Sequence, residues 1–584
     1  MIPVEFSDRI PHPAPRSAAL KRTIAVIAAA IMLLRVGHTM FMFNNTVDEP
    51  FHIGSAVVTY DVGRESSGVE QPPLTRIVAG LPLYLRGMHL PRTEETTTVV
   101  PMRTTYLQGT QVLFHSNLSY WQVLITARLI MLIFPLVALL YLYLLAAWIG
   151  NESIAAMSVV FFSLDPGFIG HSAWVHADVA ACAGYLAATY YGLRWLMLGG
   201  LGRAAVMGIA VSAAIAAKFS CIFVVPAIVL LMIVQPLLAY KSELPKTLRA
   251  YFRRWPPVRQ MAAAAVVAFV TLWGTYFFNV DRMSNQTMFT DARSAFLHIP
   301  LRVRNADVPM PSFELGMMKL IAHSKGNRGY LNGRFSDIGW WYYFPEALAL
   351  KEPIALLAGL LAAGLLLFMP AYRGDWWRIA AILIPPAVLL AAAMTSRIDI
   401  GIRHVLPVLP FLYLFVCIQL TRAGVKGMAF LAVLIATAII ESAWIAPDYL
   451  EFYNLIAGGP GQGAKYLIDS NIDFGQDIAR LAEWLHSDQA RGRSYSLRLY
   501  LFPDKSLLRT LGLDPAAQFN NPDRGGLLAI SKNVRYGLGA GQSEDWLGRP
   551  LGDYRWLSEY PIVKQIGYSI DVYDLDAPLR RSAR

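Results

Sequence analysis

Stretches of apolar residues, each near the ~20 needed for a helix to cross a bilayer, recur through most of this chain and restrict it to a membrane fold. They lie near 23–43, 121–147, 154–170, 174–197, 204–217, 220–240, 260–279, 353–370, 378–395, 402–420 and 427–446, which predicts about eleven spans. Composition agrees, because only 16% of the 584 residues are charged and 55% are hydrophobic, whereas soluble domains carry about a quarter charged residues. The net charge of +11 reads as loop bias towards an anionic leaflet; no basic-aromatic patch suggests a nucleic acid as partner. Cys182, Cys221 and Cys417 each sit inside an apolar run, so they make neither a disulfide framework nor a zinc pattern. Asn44-Asn45-Thr46, Asn117-Leu118-Ser119 and Asn285-Gln286-Thr287 fit the N-glycosylation pattern, which is short enough to occur by chance.

The sequence also predicts sidedness. Residues 1–22 carry Arg9, Arg16, Lys21 and Arg22, which places this N-terminal tail in the cytoplasm. The first apolar run ends in Met40-Phe41-Met42-Phe43; it is longer than the ~7–15-residue core of a signal peptide and lacks small residues at its end. It reads as a retained first span. Counting from there, 241–259 is an inner loop, and it holds Lys241, Lys246, Arg249, Arg253, Arg254 and Arg259. Arg373, Arg378, Arg422 and Lys426 mark two more inner connections, as the positive-inside rule requires. The membrane part is then 23–446, with large outer loops at 44–120 and 280–352 and an outer tail, 447–584. Trp340–Pro345 looks like an aromatic belt at the lipid boundary. In the tail, 495–502, 526–531 and 562–573 read as strands and 473–486 as an amphipathic helix, a small α/β domain.

Charge is scarce here, so each charged residue near lipid asks for an explanation; one at mid-membrane costs roughly 2.5–3.5 kcal/mol. Asp48-Glu49 follows the first span. Arg35, Arg128, His171, His176, Asp178, Lys218, Arg397, Asp399, Arg403 and His404 all fall near the outer ends of spans by the same count. Taken singly, Asp48 is an N-cap on a solvated acidic turn, and each of the others is a snorkelling or interhelically paired side chain. As a set on one face, they suggest a site for a phosphate-bearing lipid, which Arg meets with forked donors and Lys with a point charge. His52, Glu49, His171, His176 and Asp178 are all metal-ligand types, but no HExxH-like spacing appears, so a divalent metal is not indicated and no cofactor is expected.

Several of these segments together resemble a family. Asp48-Glu49-Pro50-Phe51-His52 followed by Pro72-Pro73-Leu74 is similar to the first outer loop of the protein O-mannosyltransferases and their bacterial relatives in glycosyltransferase family 39. Asp165-Pro166 through His171 and Asp178, then Ala217-Lys218-Phe219-Ser220, resemble further segments of that family. So do Gly329–Gly333, Trp341–Pro345, Gly401–Pro407, Tyr449–Asn454 and Asp469–Asp477. Gln71 stands where the mannosyltransferases usually have His, and the tail is not the β-trefoil insert of the eukaryotic members. The resemblance implies a mostly α, polytopic GT-C fold. It also implies a polyprenyl-phosphate sugar as donor, with mannose or another hexose or pentose passing to an acceptor hydroxyl on the outer face, the inner membrane of a bacterium being the expected place. Asp48 would be the base, Glu49 would hold acceptor or local structure, and Arg128, with Arg35, would meet the donor phosphate. Lys218, Arg403 and His404 are further candidates for that phosphate, and His52, His171 and Asp178 for other substrate contacts. The acceptor, whether protein, lipid or envelope glycan, stays open. A secondary transporter is the competing class, although no repeated half is visible.

Overall fold

The computed structural model describes residues 15–90, 100–239, 245, 247–282, 305–372, 375–501, 505–518, 525–538 and 554–577. The Asn285–Thr287 tripeptide and residues 1–14 of the N-terminal tail lie outside them.

All eleven apolar runs contain helix, but fewer than eleven helices are long and apolar enough to span by themselves. Among the described residues seven are: Ala18–Met42, Tyr120–Ile149, Phe219–Leu238, Val258–Thr275, Trp376–Thr395, Ile402–Arg422 and Gly424–Trp444. An eighth counts if Tyr343–Lys351 and Ile354–Phe368, bent by 116° at their junction, are one span. The shortfall has local causes. The run at 154–170 is broken where Asp165 accepts from the Phe168 amide at 2.6 Å and starts a new short helix, Pro166–His171. The next helix begins only at Asp178, and Leu201–Ala217 is short. Tyr120–Ile149 still counts as one span, although the helix is interrupted at Leu132, where Pro135 has no N–H for the carbonyl one turn earlier. The result is an integral, multi-pass membrane protein. Ile402–Arg422 lies at its centre, 83% buried, whereas Val258–Thr275 is only 17% buried and turns most of its surface outward.

Two loops fold over the end of the bundle that carries Asp48. The first holds Glu49–Val62, Leu74–Leu85 and Met102–Phe114. Glu49–Val62 and Met102–Phe114 cross backbone to backbone: a methyl at Gly54 would lie 2.4 Å from the Gly109 nitrogen, and one at Gly109 1.8 Å from the Pro50 carbonyl oxygen. In the second loop, β1 (Val280–Arg282) pairs with β2 (Asp307–Pro309), and β3 (Gly329–Leu331) with β4 (Arg334–Ser336). Asn332 and Gly333, both at positive φ, make the β3–β4 turn. Of the expected aromatic belt, Trp341 is 69% exposed, while Tyr343 and Phe344 are buried.

The tail contains a four-stranded sheet in the order β5-β6-β8-β7. β5 (Tyr495–Arg498) runs parallel to β6 (Leu527–Ser531), and β8 (Ile570–Asp574) is antiparallel to both β6 and β7 (Ile562–Ile566). The single strand expected over 562–573 is therefore a hairpin, turned at Gly567, and the helix expected from 473 begins at Ile478. The stretch from 447 to 477 is a series of short turns packed on the bundle. Lys351 donates to the carbonyls of Leu450 (2.8 Å) and Asn471 (2.5 Å), and the Tyr449 hydroxyl accepts from Arg35.

Candidate active site

The link from the first helix, which ends at Met42, to Glu49–Val62 is the six residues Phe43–Asp48. Proline in the first turn of Glu49–Val62 removes an amide that would otherwise need a cap. Asp48 stands at the N-cap, as expected, but its side chain caps nothing. The carboxylate turns away instead. One oxygen accepts from Arg403 Nη1 at 2.9 Å and the other from the Tyr106 hydroxyl at 3.2 Å, and about a quarter of the side chain remains exposed.

Glu49 points the other way and is wholly buried. It accepts from the backbone amides of Thr46 (2.8 Å) and Val175 (3.1 Å) and pairs with both ends of the Arg128 guanidinium. Arg128 then donates to the carbonyls of Met40, Phe43 and Asn44 at 2.7–2.9 Å and lies 4.7 Å from the Trp174 ring. All five of its N–H donors have partners within the protein. Where a donor phosphate was expected to meet Arg128, the side chain is fully buried and holds the Asn44–Glu49 turn. Arg35 is not brought to Asp48 either. It donates to Tyr449 and to Ser442, and so ties the first helix to Gly424–Trp444 and to the start of the tail. Asn44 is also buried, bonded to Gly475 and Ala479, which leaves no room for a glycan.

Around Asp48 the other expected residues do converge. Arg403 Nη1 lies 3.9 Å from Asp178, whose other oxygen takes Lys218 Nζ at 2.5 Å. The chain Asp48–Arg403–Asp178–Lys218 thus joins two carboxylates to two cations. His404 sits among Lys218, Arg403, Asp178 and His171, and His52 among Asp48, Asp178 and Arg403. His176 bonds to Thr46 Oγ1 at 3.0 Å and packs on Phe474. Burial raises the pKa of Asp48, but Arg403, then His176 and His52, outweigh that and hold it below the usual carboxylate range. Burial pushes His52 down to about 4 and His171 to about 3, so both imidazoles are neutral at pH 7. Arg403 Nε, His404 Nε2 and the Nδ1 atoms of His52, His171 and His176 are buried with no hydrogen-bond partner among the described residues. Buried polar atoms rarely stay unpaired, and five around one carboxylate pair mark a place prepared for a polar guest.

Three contributors escaped the sequence reading. Tyr106 lies on Met102–Phe114, a helix inside the first loop whose buried Thr105, Tyr106, Gly109, Val112 and Leu113 follow helical spacing. Phe474, stacked 4.7 Å from the Arg403 guanidinium, belongs to the tail, as does Asp469, which faces Arg403. Asp469 is pushed up to about 6 by burial, against the pull of Arg403. Among the described residues no group of three or more His, Cys, Asp or Glu side chains is arranged to hold a metal ion.

What these elements define is a membrane-embedded helical bundle with a buried, charge-paired site at one end, roofed by loops and tail. No protein-family model and no curated protein sequence matches the chain. Among solved structures it is similar to ArnT from Cupriavidus metallidurans bound to undecaprenyl phosphate, at 13% identity over 94% of this chain and 97% of that one, with a TM-score of 0.45. It is similar also to the oligosaccharyltransferase of Archaeoglobus fulgidus in the apo form (12% identity, 86% of this chain and 61% of that one, TM-score 0.43). A third likeness is to the S. cerevisiae protein O-mannosyltransferase Pmt1–Pmt2 complex bound to the sugar donor (17% identity, 46% of this chain and 34% of that one, TM-score 0.34). All three are GT-C glycosyltransferases.

Proposed function

We propose that this protein is an inverting membrane glycosyltransferase of the GT-C type. It moves a sugar from a polyprenyl-phosphate donor to an acceptor hydroxyl at the outer face of a bacterial inner membrane. The observation that carries this reading is Asp48: a part-open carboxylate, clamped by Arg403 and Tyr106 and ringed by buried polar nitrogens without partners among the described residues. The resemblance of Asp48–His52 to the family's first outer loop supports the same assignment.

In this mechanism Asp48 takes the proton from the acceptor hydroxyl while that oxygen attacks the anomeric carbon from the face opposite the phosphate. The bond from that carbon to the phosphate oxygen breaks, and its electron pair leaves with the polyprenyl phosphate, which needs no proton. The leaving phosphate gains a negative charge as it departs. Arg403 and Lys218 are the cations placed to stabilise it, and Arg403 has an unpaired Nε to offer. His404 and His171 fit hydrogen bonds to phosphate or sugar, and His52 one to sugar or acceptor. Glu49, locked by Arg128, sets the position of Asp48 by fixing the turn that bears it. The acceptor stays open among protein, lipid and envelope glycan.

The test is to give purified protein in liposomes a panel of radiolabelled polyprenyl-phosphate sugars, with the Asp48→Asn variant alongside. Wild type should consume one donor, and Asp48→Asn should bind it and not turn it over. Near wild-type transfer by Asp48→Asn would remove the base assignment. Movement of an intact solute across the liposome without donor cleavage would instead identify a transporter.

A further inference from the structure

Beside Asp48 the structure has a second feature that the donor chemistry leaves unused. A small cleft open to solvent lies between the first loop and the tail. Its apolar lining comes from Val47, Pro50, Phe114, Ile478, Leu501 and Leu507. Val47 and Pro50 flank Asp48 in sequence. Tyr106, which holds Asp48, is one helical turn before Thr110 and two before Phe114, both of which line the cleft. Tyr500 lines it from the tail and lies within electrostatic reach of both Asp48 and Tyr106. Arg403 binds the other carboxylate oxygen, together with Asp178 and Lys218. Asp48 therefore has a cationic flank and an apolar one, and inverting displacement needs phosphate and acceptor on opposite sides of the sugar carbon.

We infer that this cleft is the acceptor's binding site, and that it takes a neutral, hydroxyl-bearing molecule by the apolar chain next to its hydroxyl. The inference rests on Asp48 being the base. Among the described residues of the lining Tyr500 is the only ionisable side chain, so an anionic acceptor finds no counter-charge among them and is repelled by Asp48. A cationic acceptor must compete with Arg403. A few polar groups in a mainly apolar wall suit orientation of one hydroxyl and burial of its neighbours. The walls are also held in register: the Val47 amide donates to the Phe474 carbonyl at 2.9 Å, Asn44 to that of Gly475 at 2.7 Å, and Ala479 to Asn44 at 2.9 Å.

The test does not need turnover. The three natural cysteines are buried, so a Leu501→Cys variant of the full chain in liposomes carries one accessible thiol in the cleft, and Asn117→Cys gives an exposed control. N-ethylmaleimide labelling is followed with ethanol, 1-butanol or 1-hexanol, and with 6-hydroxyhexanoate as the anionic counterpart. The alcohols should protect only Leu501→Cys, at concentrations falling about fourfold per added methylene, and 6-hydroxyhexanoate should not. Equal protection by the anion, or protection of both sites alike, overturns the inference. The wild type is then offered 1-hexanol as acceptor with the donor it consumes. Asp48-dependent transfer to 1-hexanol supports the acceptor role. Donor consumption without such transfer, protection being intact, overturns that role and leaves the proposed function standing. Protection without any donor consumption refutes the proposed function, and with it the acceptor role.

Discussion

Replacing Arg128 separates two accounts of the same residue, one in which it binds donor phosphate and one in which it is internal scaffolding. Its guanidinium makes two hydrogen bonds to Glu49, at 2.8 and 2.7 Å, and three to backbone carbonyls, and neither side chain is exposed to solvent. Arg128→Met leaves Glu49 buried and unpaired, which in comparable buried pairs costs about 3–5 kcal/mol. The carbonyls of Met40, Phe43 and Asn44 lose their donors as well. Arg128→Lys keeps the charge but offers three donors on a flexible stem in place of a fixed fork, so it should fall between wild type and Met. Arg128→Met/Glu49→Met leaves no buried charge unpaired and should recover part of the loss, the three carbonyls and the Thr46 and Val175 amides still lacking partners. Unfolding in detergent, followed by tryptophan fluorescence, gives the order wild type, double variant, Lys, Met from most to least stable. Binding of labelled polyprenyl phosphate to the fraction that remains folded should change little. An Arg128→Lys protein that unfolds like wild type yet binds the lipid about tenfold more weakly, a difference near 1.4 kcal/mol, would refute this account and return Arg128 to the phosphate.

Three other outcomes are expected. Arg403→Gln removes the cation that does most to hold the Asp48 pKa down; the acid limb of the kcat/KM profile should move to higher pH, and an unmoved limb would dissociate the pair. Gly475 has φ of +77°, and a methyl there would sit 2.9 Å from the Tyr500 carbonyl oxygen and 3.2 Å from Val47. Gly475→Ala should cost on the order of 1–2 kcal/mol from the left-handed backbone alone and reduce turnover; unchanged thermal unfolding and activity would contradict it. Asp399 is buried, accepts from the Trp340 amide at 2.7 Å, and is pushed by burial up to about 6. A carboxyl raised in the folded state contributes stability at low pH that is lost as pH rises through 6. Asp399→Asn should therefore lessen the fall in melting temperature between pH 5 and 7, and an identical slope in both proteins would exclude Asp399 as its source.

What the sequence made legible was set by how local each signal is. Apolar runs report helices directly, and all eleven are helical. Whether a run is one helix or two turns on single residues such as Pro135 and Asp165-Pro166, which a count of apolar residues passes over. A charge in an apolar run announces that it has a partner without saying which. Arg128 and Arg403 are alike in sequence by that measure. Yet one is enclosed by Glu49 and three carbonyls while the other meets a part-open carboxylate. The distinction arises from contacts across 79 and 355 residues, respectively. The helix carrying Tyr106 is short and lies between two spans, and its apolar face is interrupted by Gln108 and Thr110, so its helical spacing is a weak signal beside the long apolar runs.

The tail bears on the same question. The loop that carries Asp48 is tied to a distant part of the chain: Asn44 and Val47 bond to Phe474, Gly475 and Ala479, more than 400 residues later. Phe474 and Gly475 lie in turns, and Ala479 in the first turn of the helix after them; the turns are anchored to the bundle by Lys351, which reaches the Leu450 and Asn471 carbonyls, and by Arg35, which reaches Tyr449. Phe474, from the same turns, is stacked on the guanidinium that pairs with Asp48. The turns from 447 to 479 therefore belong structurally with the bundle, whatever the sheet beyond them contributes. A boundary drawn at residue 446, where hydropathy falls, cuts through the site. The Asp48 turn sits at the meeting of two distant parts of the chain, so its conformation depends on both being folded. A change that loosens these turns should then reach Asp48 by two routes, through the backbone of its own turn and through the Arg403 guanidinium on which Phe474 is stacked.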